Sequence, residues 1–425
     1  VPFHLIIGVA IFLVVYVAIS IELVNKTVAA LAGAALFMIF HIVGEERAFT
    51  FVDWNVVFLL FGMMVIVGVA KQSGVFQFVA IRMAKIARGQ PIRIMLLLSL
   101  ITALFSSLLD NVTTILIVSP VTIMIAVELE MSPVPFLISE AIASNVGGTA
   151  TLVGDPPNIM IGSAAHFTFI DFLINLAPLV VLLMALDLLL LALFFRRQLS
   201  ASEERRMLIM EMDEKKSIED RSLLIKALIV IGLVILGFLL QSLTGLEAGA
   251  VALAGAALLM LLTGGKEIDR YFAEIEWGSI FFFIGLFILV GGLVRLGVID
   301  DIGAFLLGLT KDNMRVTSSI LIWASGFISA IVDNIPYVAT MIPLVEHFGK
   351  SLGESTIQPL WWALSLGACL GGNGTLIGAS ANVIAAGIAK RSGFHVSFME
   401  FTKYGALITV INLVFSTLFI DLFYF

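Results

Sequence analysis

Long apolar runs fill this chain, and its polar residues gather in short clusters between those runs and, in four places, inside them. A helix rises about 1.5 Å per residue and the hydrocarbon layer is roughly 30 Å thick, so one span needs about 20 apolar residues. That criterion predicts ten spans, at about 3–21, 24–41, 54–70, 136–165, 170–195, 223–243, 248–264, 277–295, 357–389 and 402–423. The spans at 136–165 and 357–389 are each broken by a glycine-rich polar cluster. Two more apolar stretches fold back around Asp110-Asn111 and Asp333-Asn334, which suits re-entrant helical hairpins better than pairs of full spans. Segments 71–90 and 297–314 are expected as interfacial amphipathic helices. Strand-type alternation is absent, so the fold class is an all-α polytopic membrane protein.

The pattern occurs twice. LAGAALFM at 31–38 returns as LAGAALLM at 253–260, and VDWNVVFLL from 52 returns as IEWGSIFFF from 275. LLDNVTTILIVSPV from 108 returns as IVDNIPYVATMIPLV from 331, and GGTATLVGDPPN from 147 as GGNGTLIGASAN from 371. The offsets are 222, 223, 223 and 224, collinear along the chain. Each copy holds five predicted spans, and an odd number makes the second copy enter the membrane from the opposite side. Inverted repeats with interrupted helices are an architecture of secondary transporters, with the binding site near the midplane. The expected layout is scaffold spans over 1–90 and 223–314, hairpin, broken helix and span over 91–195 and 315–425, and a connector over 196–222.

Composition removes other classes. With 60% hydrophobic and 13% charged residues, this is not an ordinary soluble domain, and no nucleic-acid partner is expected. Net charge is −7, but orientation follows the placement of Lys and Arg. Nineteen of the 24 basic residues fall on one side of the ten-span arrangement, including Lys26, Lys71, Arg82, Lys85 and the connector, and five on the other. Both termini are therefore expected outside a cell (inner) membrane, with 196–222 a solvated cytoplasmic connector. No basic leader or small-residue cleavage site marks the first apolar run, so a cleavable signal is not expected. The single cysteine, Cys369, forbids an intrachain disulfide and reads as a small packing residue. Gly349-Lys350-Ser351 has Leu344 where a phosphate-binding Gly-x-x-x-x-Gly-Lys-Ser/Thr loop needs its first glycine, so no ATP-driven step is expected of this chain; a separate ATPase subunit stays open as a partner. The Tyr-Asp and Gly-x-Gly-Asp contexts of intramembrane aspartyl proteases are missing, and an enzyme is not expected. A passive channel remains the contrasting class.

The clusters inside the membrane carry the chemistry. Gly147, Gly148 and Gly154 permit close backbone approach, and Pro156 and Pro157 end a helix, so 136–165 becomes two half-helices with peptide groups between them. Such groups and the half-helix dipoles suit an ion or polar solute. Asn145, Gly148, Thr149 and Asn158 in the first copy, and Gly372, Asn373, Thr375 and Asn382 in the second, are candidate substrate contacts, with Asn111, Thr113 and Asn334 at the hairpin tips. Sodium is a candidate occupant near Asn111, Gly148, Asn334 and Gly372. Asp110, Asp333 and Asp155 are candidate ion-coupling residues, since a carboxylate at this depth is costly. The alternative, a carboxylate that simply caps a half-helix, is weighed most heavily for Asp155 and less for the tips. Asp187 interrupts an apolar span without an assigned role, and Glu140 is most simply a helix-start carboxylate.

At LLDNVTTILIVSPVT, SNVGGTATLVGDPPNIMIG and GACLGGNGTLIGASANVIAAGIA the sequence resembles the arsenite permease and sodium/proton antiporter group of the ion transporter superfamily. It looks closest to the branch holding the pigmentation-associated P protein, and more distantly it resembles the divalent anion and citrate symporters. The resemblance covers nearly the whole chain except 196–222. It implies a scaffold, a mobile transport domain, a homodimer and elevator-like alternating access. In the divalent anion symporters the tips carry Ser-Asn-Thr; Asn111 and Asn334 match that Asn, Thr113 lies near the Thr, and Asp110 and Asp333 replace the Ser. Two carboxylates there disfavour a citrate-like anion, and no Lys or Arg is placed at the midplane to offset them. The expectation is a transporter without cofactor, coupled to H+ or Na+, with arsenite or antimonite export foremost, then sodium/proton antiport, then sodium-coupled di- or tricarboxylate uptake.

Overall fold

The computed structural model describes residues 3–21, 23–264, 268–303, 313–353 and 356–425. Every regular element among them is a helix. Among the described residues eight helices are long and apolar enough to cross a membrane, including Phe3–Ser20, Ala177–Phe195 and Phe398–Tyr424. The count differs from ten for a physical reason: the two broken spans are built from half-helices too short to qualify, and Lys26–Ile39 and Ala248–Leu262 have only 14 and 15 residues, whereas both arms of the first hairpin qualify by length and apolarity alone. Phe3–Ser20 and its repeat counterpart Arg221–Leu239 bury only 17% and 28% of their residues, leaving apolar side chains such as Val14 and Ile229 facing outward. Trp54–Gln72 and Trp277–Arg295 bury 67% and 56% and form the inside of the same group.

The two copies interlock. Trp54–Gln72 packs along Ala248–Leu262 of the other copy, and Trp277–Arg295 packs along Lys26–Ile39. The contact is backbone to backbone: a Cβ on Gly62 would lie 2.5 Å from the Ala252 carbonyl carbon, and one on the equivalent Gly285 would lie 2.8 Å from that of Ala30.

A second group holds the hairpins and broken helices. Hairpin 1 consists of Pro91–Leu108 and Asn111–Glu128, hairpin 2 of Met314–Ser329 and Asn334–Leu352. Broken helix 1 consists of Val134–Gly148 and Pro156–Ala164, broken helix 2 of Gln358–Gly371 and Ser380–Arg391. The first arm of each hairpin packs on the first half-helix of the same copy. Here too glycine sets the spacing, because a Cβ on Gly147 would meet Ala103 O at 2.2 Å and one on Gly371 would meet Gly326 O at 2.6 Å. After Pro156–Ala164 the chain bends by 111° into Phe169–Asn175, whose Thr168 and Asp171 form a reciprocal capping box.

The connector is not simply solvated. It forms Glu203–Glu211 and a short 3-10 turn at Glu214–Ser217 that dock on the interfacial helix Val75–Ile86. Glu214 is 7% exposed and takes Lys85 Nζ at 2.6 Å and Arg82 Nη1 at 2.9 Å. Those two cations hold its carboxyl well below the usual range, at about 2. The other interfacial segment, expected over 297–314, runs into residues 304–312, which lie outside the described residues.

Candidate functional site

Each hairpin turns at an Asp-Asn pair whose aspartate starts the returning helix. The Asp110 carboxylate accepts the Thr113 N–H at 2.8 Å and that of Asp333 accepts the Ile335 N–H at 3.2 Å, satisfying donors that the first helical turn leaves free. Asp155 behaves in the opposite way. It precedes Pro156–Ala164, yet makes no side-chain capping bond. Its carboxylate instead accepts Asn111 Nδ2 at 3.2 Å from hairpin 1 and Asn334 Nδ2 at 3.3 Å from hairpin 2. The capping explanation therefore fits the tips and fails for Asp155, reversing the sequence-based weighting: proline at the first two helical positions removes those donors, and the Asn158 N–H at the third bonds the Asp155 backbone carbonyl at 2.9 Å.

Asp155 is fully buried, and the chain builds an amide network around it. Asn111 Nδ2 also reaches Asn145 Oδ1 at 3.0 Å, and Asn145 Nδ2 donates to Asn373 Oδ1 at 2.8 Å and Asn382 Oδ1 at 3.0 Å. One side chain thus ties the first copy to the second. Asn158 and Asn382, equivalent in the repeat, do a different job. Asn158 Nδ2 faces the carbonyls of Gly148, Thr149 and Thr151 at 3.4, 3.2 and 3.0 Å, and Asn382 Nδ2 those of Gly372 and Thr375 at 2.8 and 3.1 Å. These amides occupy the loop carbonyls that the sequence offered to an ion. Asn158 Oδ1 is met by Ser365 Oγ at 2.6 Å and Cys369 Sγ at 3.5 Å. Gly148 lies against Gly154, and Thr149 Oγ1 turns back to Asn145 O at 2.8 Å. Thr113, half-buried, serves through its backbone, and Thr375 Oγ1 donates to Ala330 O.

The residue that sequence reasoning missed is Lys26. Counted there only among the basic residues of one membrane side, it begins Lys26–Ile39 and points inward, its Nζ 3.0 Å from Asp333 Oδ2 and 2.8 Å from Ser380 Oγ. Ser380 Oγ itself donates to Asp333 Oδ2 at 2.8 Å. The statement that no cation offsets the tip aspartates is thus corrected for Asp333. The available signal was a lysine inside the repeat where the other copy has Ala248.

Lys26, Asp333 and Ser380 line a cavity of about 420 Å³ with Asn25, Glu276 and Ser279. Its repeat counterpart is a cavity of about 200 Å³ lined by Asn55, Ile159, Ser163, Gln241, Glu247 and Ala248, on the opposite face of the inverted arrangement. The larger cavity reaches the tip of hairpin 2, whereas Asp110 does not line the smaller one. Asn55 closes that second space, donating to Ser163 Oγ at 3.1 Å and accepting Gly249 N–H at 2.7 Å.

Comparison with known proteins agrees with this architecture. An uncharacterised transporter of Mycobacterium tuberculosis (strain H37Rv) is 45% identical over 99% of both chains, and a 46 kDa membrane protein of Mycobacterium leprae is 43% identical over the same shares. The human P protein is 33% identical across 96% of this chain and 58% of its own length. Among solved structures, the YdaH transporter of Alcanivorax borkumensis, of unusual topology, superposes with a TM-score of 0.60 at 14% identity, over 100% of this chain and 98% of its own. The family profile described as citrate transporter (CitMHS) matches residues 16–367. A membrane transporter with duplicated hairpins and broken helices, this chain belongs to the citrate transporter family.

Proposed function

We propose that this chain is a proton-coupled secondary transporter in which hairpins and broken helices shift against the scaffold, as a homodimer, in an elevator-type cycle. The observation that supports it best is the Lys26–Asp333 pair at the wall of the larger cavity. One partner sits on Lys26–Ile39 and the other on hairpin 2, so the pair bridges the two packing groups. A proton on Asp333 cancels the charge that holds Lys26, and the freed ammonium then attracts a substrate carboxylate. Proton and anion binding at neighbouring groups are linked in that way, which is the logic of symport.

The substrate reading shifts accordingly. Arsenite or antimonite export rested on the lack of a midplane cation, and Lys26 removes that ground. A small di- or tricarboxylate is favoured, in keeping with the family profile, while arsenite suits a cycle in which the pair stays closed around a neutral solute. The basic residues at the Lys26 side favour a cavity that opens to the cytoplasm.

Purified full-length protein in liposomes loaded with a pH-sensitive dye tests this. Citrate, arsenite and sodium are offered separately under an imposed proton gradient. Proton movement triggered by citrate, and lost in D333N, supports the proposal. A response to arsenite alone restores the exporter reading, a response to sodium alone makes the chain a cation antiporter, and solute flux without proton movement overturns the coupling.

A further inference from the structure

Glu140 is fully buried on half-helix Val134–Gly148, outside the Asp155 network. Its Oε1 accepts Thr122 Oγ1 at 2.5 Å, while Oε2 has no hydrogen-bond partner and no ion pair reaches it among the described residues. The helices packed on Val134–Gly148 carry Arg93, Asp110, Glu128, Asp187, Cys369, Lys390 and Arg391, and none of these bonds to it. A carboxylate held like this is expensive unless it carries a proton.

Thr122 does not stand alone. Asn111, Thr114, Ser119 and Thr122 share one face of Asn111–Glu128 by helical periodicity, and all four are buried. Elsewhere in this protein helical hydroxyls turn back onto the carbonyl four residues earlier, as Thr102 does to Leu98 and Ser139 to Pro135. Thr114 Oγ1 and Ser119 Oγ do not, and both lack any partner. On the other helix, Ser144 lies one turn beyond Glu140 and its Oγ donates to Asn111 O at 3.2 Å. Buried side-chain oxygens are therefore spaced along the interface between Glu140 and the Asn111–Asp155 centre, with Thr114 and Ser119 unbonded between the two bonded ends.

The second copy shows that the fold does not need it. Thr114, Ser119, Thr122 and Glu140 correspond to Tyr337, Ile342, Val345 and Leu364, all buried in the same packing. Tyr337 is the polar exception, and its hydroxyl is satisfied by Ser325 at 2.9 Å. One copy thus keeps a costly polar seam where its duplicate closes the same interface with apolar groups. Unmatched hydroxyls and an unmatched carboxyl oxygen are the groups that hold water and pass protons.

We propose that Glu140 is a proton-binding station and that Thr122, Ser119 and Thr114, with water, relay its proton to Asp155. In each transfer one O–H bond breaks as the next oxygen gains one, and Glu140 is reloaded from the connector side of the membrane, where Asn111–Glu128 ends and Val134–Gly148 begins. This inference rests on the proton-coupled reading above.

The test uses the full chain in liposomes, with citrate as the probe, or arsenite if only that solute elicits flux. Net proton-coupled flux in E140Q should fall by roughly tenfold or more, while solute-for-solute exchange, which needs no net proton transfer, changes less than about twofold. The double variant T114V/S119A, which keeps the carboxyl, should slow net flux in the same sense. Infrared spectra of wild type should contain a protonated-carboxyl band that E140Q lacks. Equal net flux in wild type and E140Q, or no such band, overturns the assignment. If the wild type moves solute without protons, the coupling reading itself fails, which the dye reports before any variant is made.

Discussion

Two hairpin tips with the same Asp-Asn sequence sit in different electrostatic settings. Asp333 faces Lys26, Ser380 and the larger cavity; at the equivalent positions Asp110 has Ala248 and Pro156, and no ion pair among the described residues. Between the tips, Asp155 takes an amide from each, and its own counterpart is Ala379. Duplication therefore supplies the two-fold frame, and a handful of unshared polar residues, namely Lys26, Asp155 and the Glu140 seam, set the copies apart and carry the chemistry proposed above. Shared residues should behave alike in both copies, and unshared ones should not be replaceable from the other copy.

The most severe break in that comparison is D155N. It should abolish coupled flux, roughly a hundredfold loss or more, with the folded protein retained, and A379D in the same chain should not restore it. Substantial activity in D155N would show the central carboxylate to be structural. K26M comes next, leaving Asp333 without its cation: citrate flux should fall by roughly ten- to a hundredfold, with K26R recovering part of it. Unchanged affinity in K26M would return the substrate reading to a neutral solute.

Shared positions sharpen the contrast by stability instead. G147A and G371A each force a methyl against a backbone carbonyl that cannot move aside, costing at least the roughly 1–3 kcal/mol of overpacking. Thermal unfolding in detergent should show comparable losses for both; a large inequality would mean that the copies are not mechanically equivalent. The smallest effect concerns the connector. Because Lys85 and Arg82 hold the Glu214 carboxyl at about 2, its contribution to docking is complete above the ordinary carboxylate range and disappears as pH falls through about 2. E214Q should therefore make the connector more sensitive to limited proteolysis at neutral pH, whereas wild type should show no change between pH 7 and 5.

Much of the frame was legible because it rests on local rules. Glycine pairs, prolines and apolar run lengths fix where Val134–Gly148 stops and Pro156–Ala164 starts, and repetition exposed the inverted symmetry. The amide and carboxyl residues of the tips and loops were named, and the structure brings Asn111, Asn145, Asp155, Asn334, Asn373 and Asn382 into one network. What periodicity does not encode is which copy lends a residue to the other's site. Lys26 lies 307 positions from Asp333, at a helix start that looks like an ordinary membrane boundary. The capping weights of Asp155 and the tip aspartates are reversed for a similar reason: capping preference is a local property, and Asp155 is claimed by side chains 44 and 179 positions away.

Cys369 occupies the place where the first copy has Asn145, fully buried and against Asn158. It is the sole thiol in 425 residues, so the natural chain already carries a reporter at the heart of the broken helices. A membrane-permeant alkylating reagent reaches it only when that region opens. Its labelling rate, followed with and without solute and across a proton gradient, therefore reads the opening of that region, and so the proposed cycle, without any engineered label.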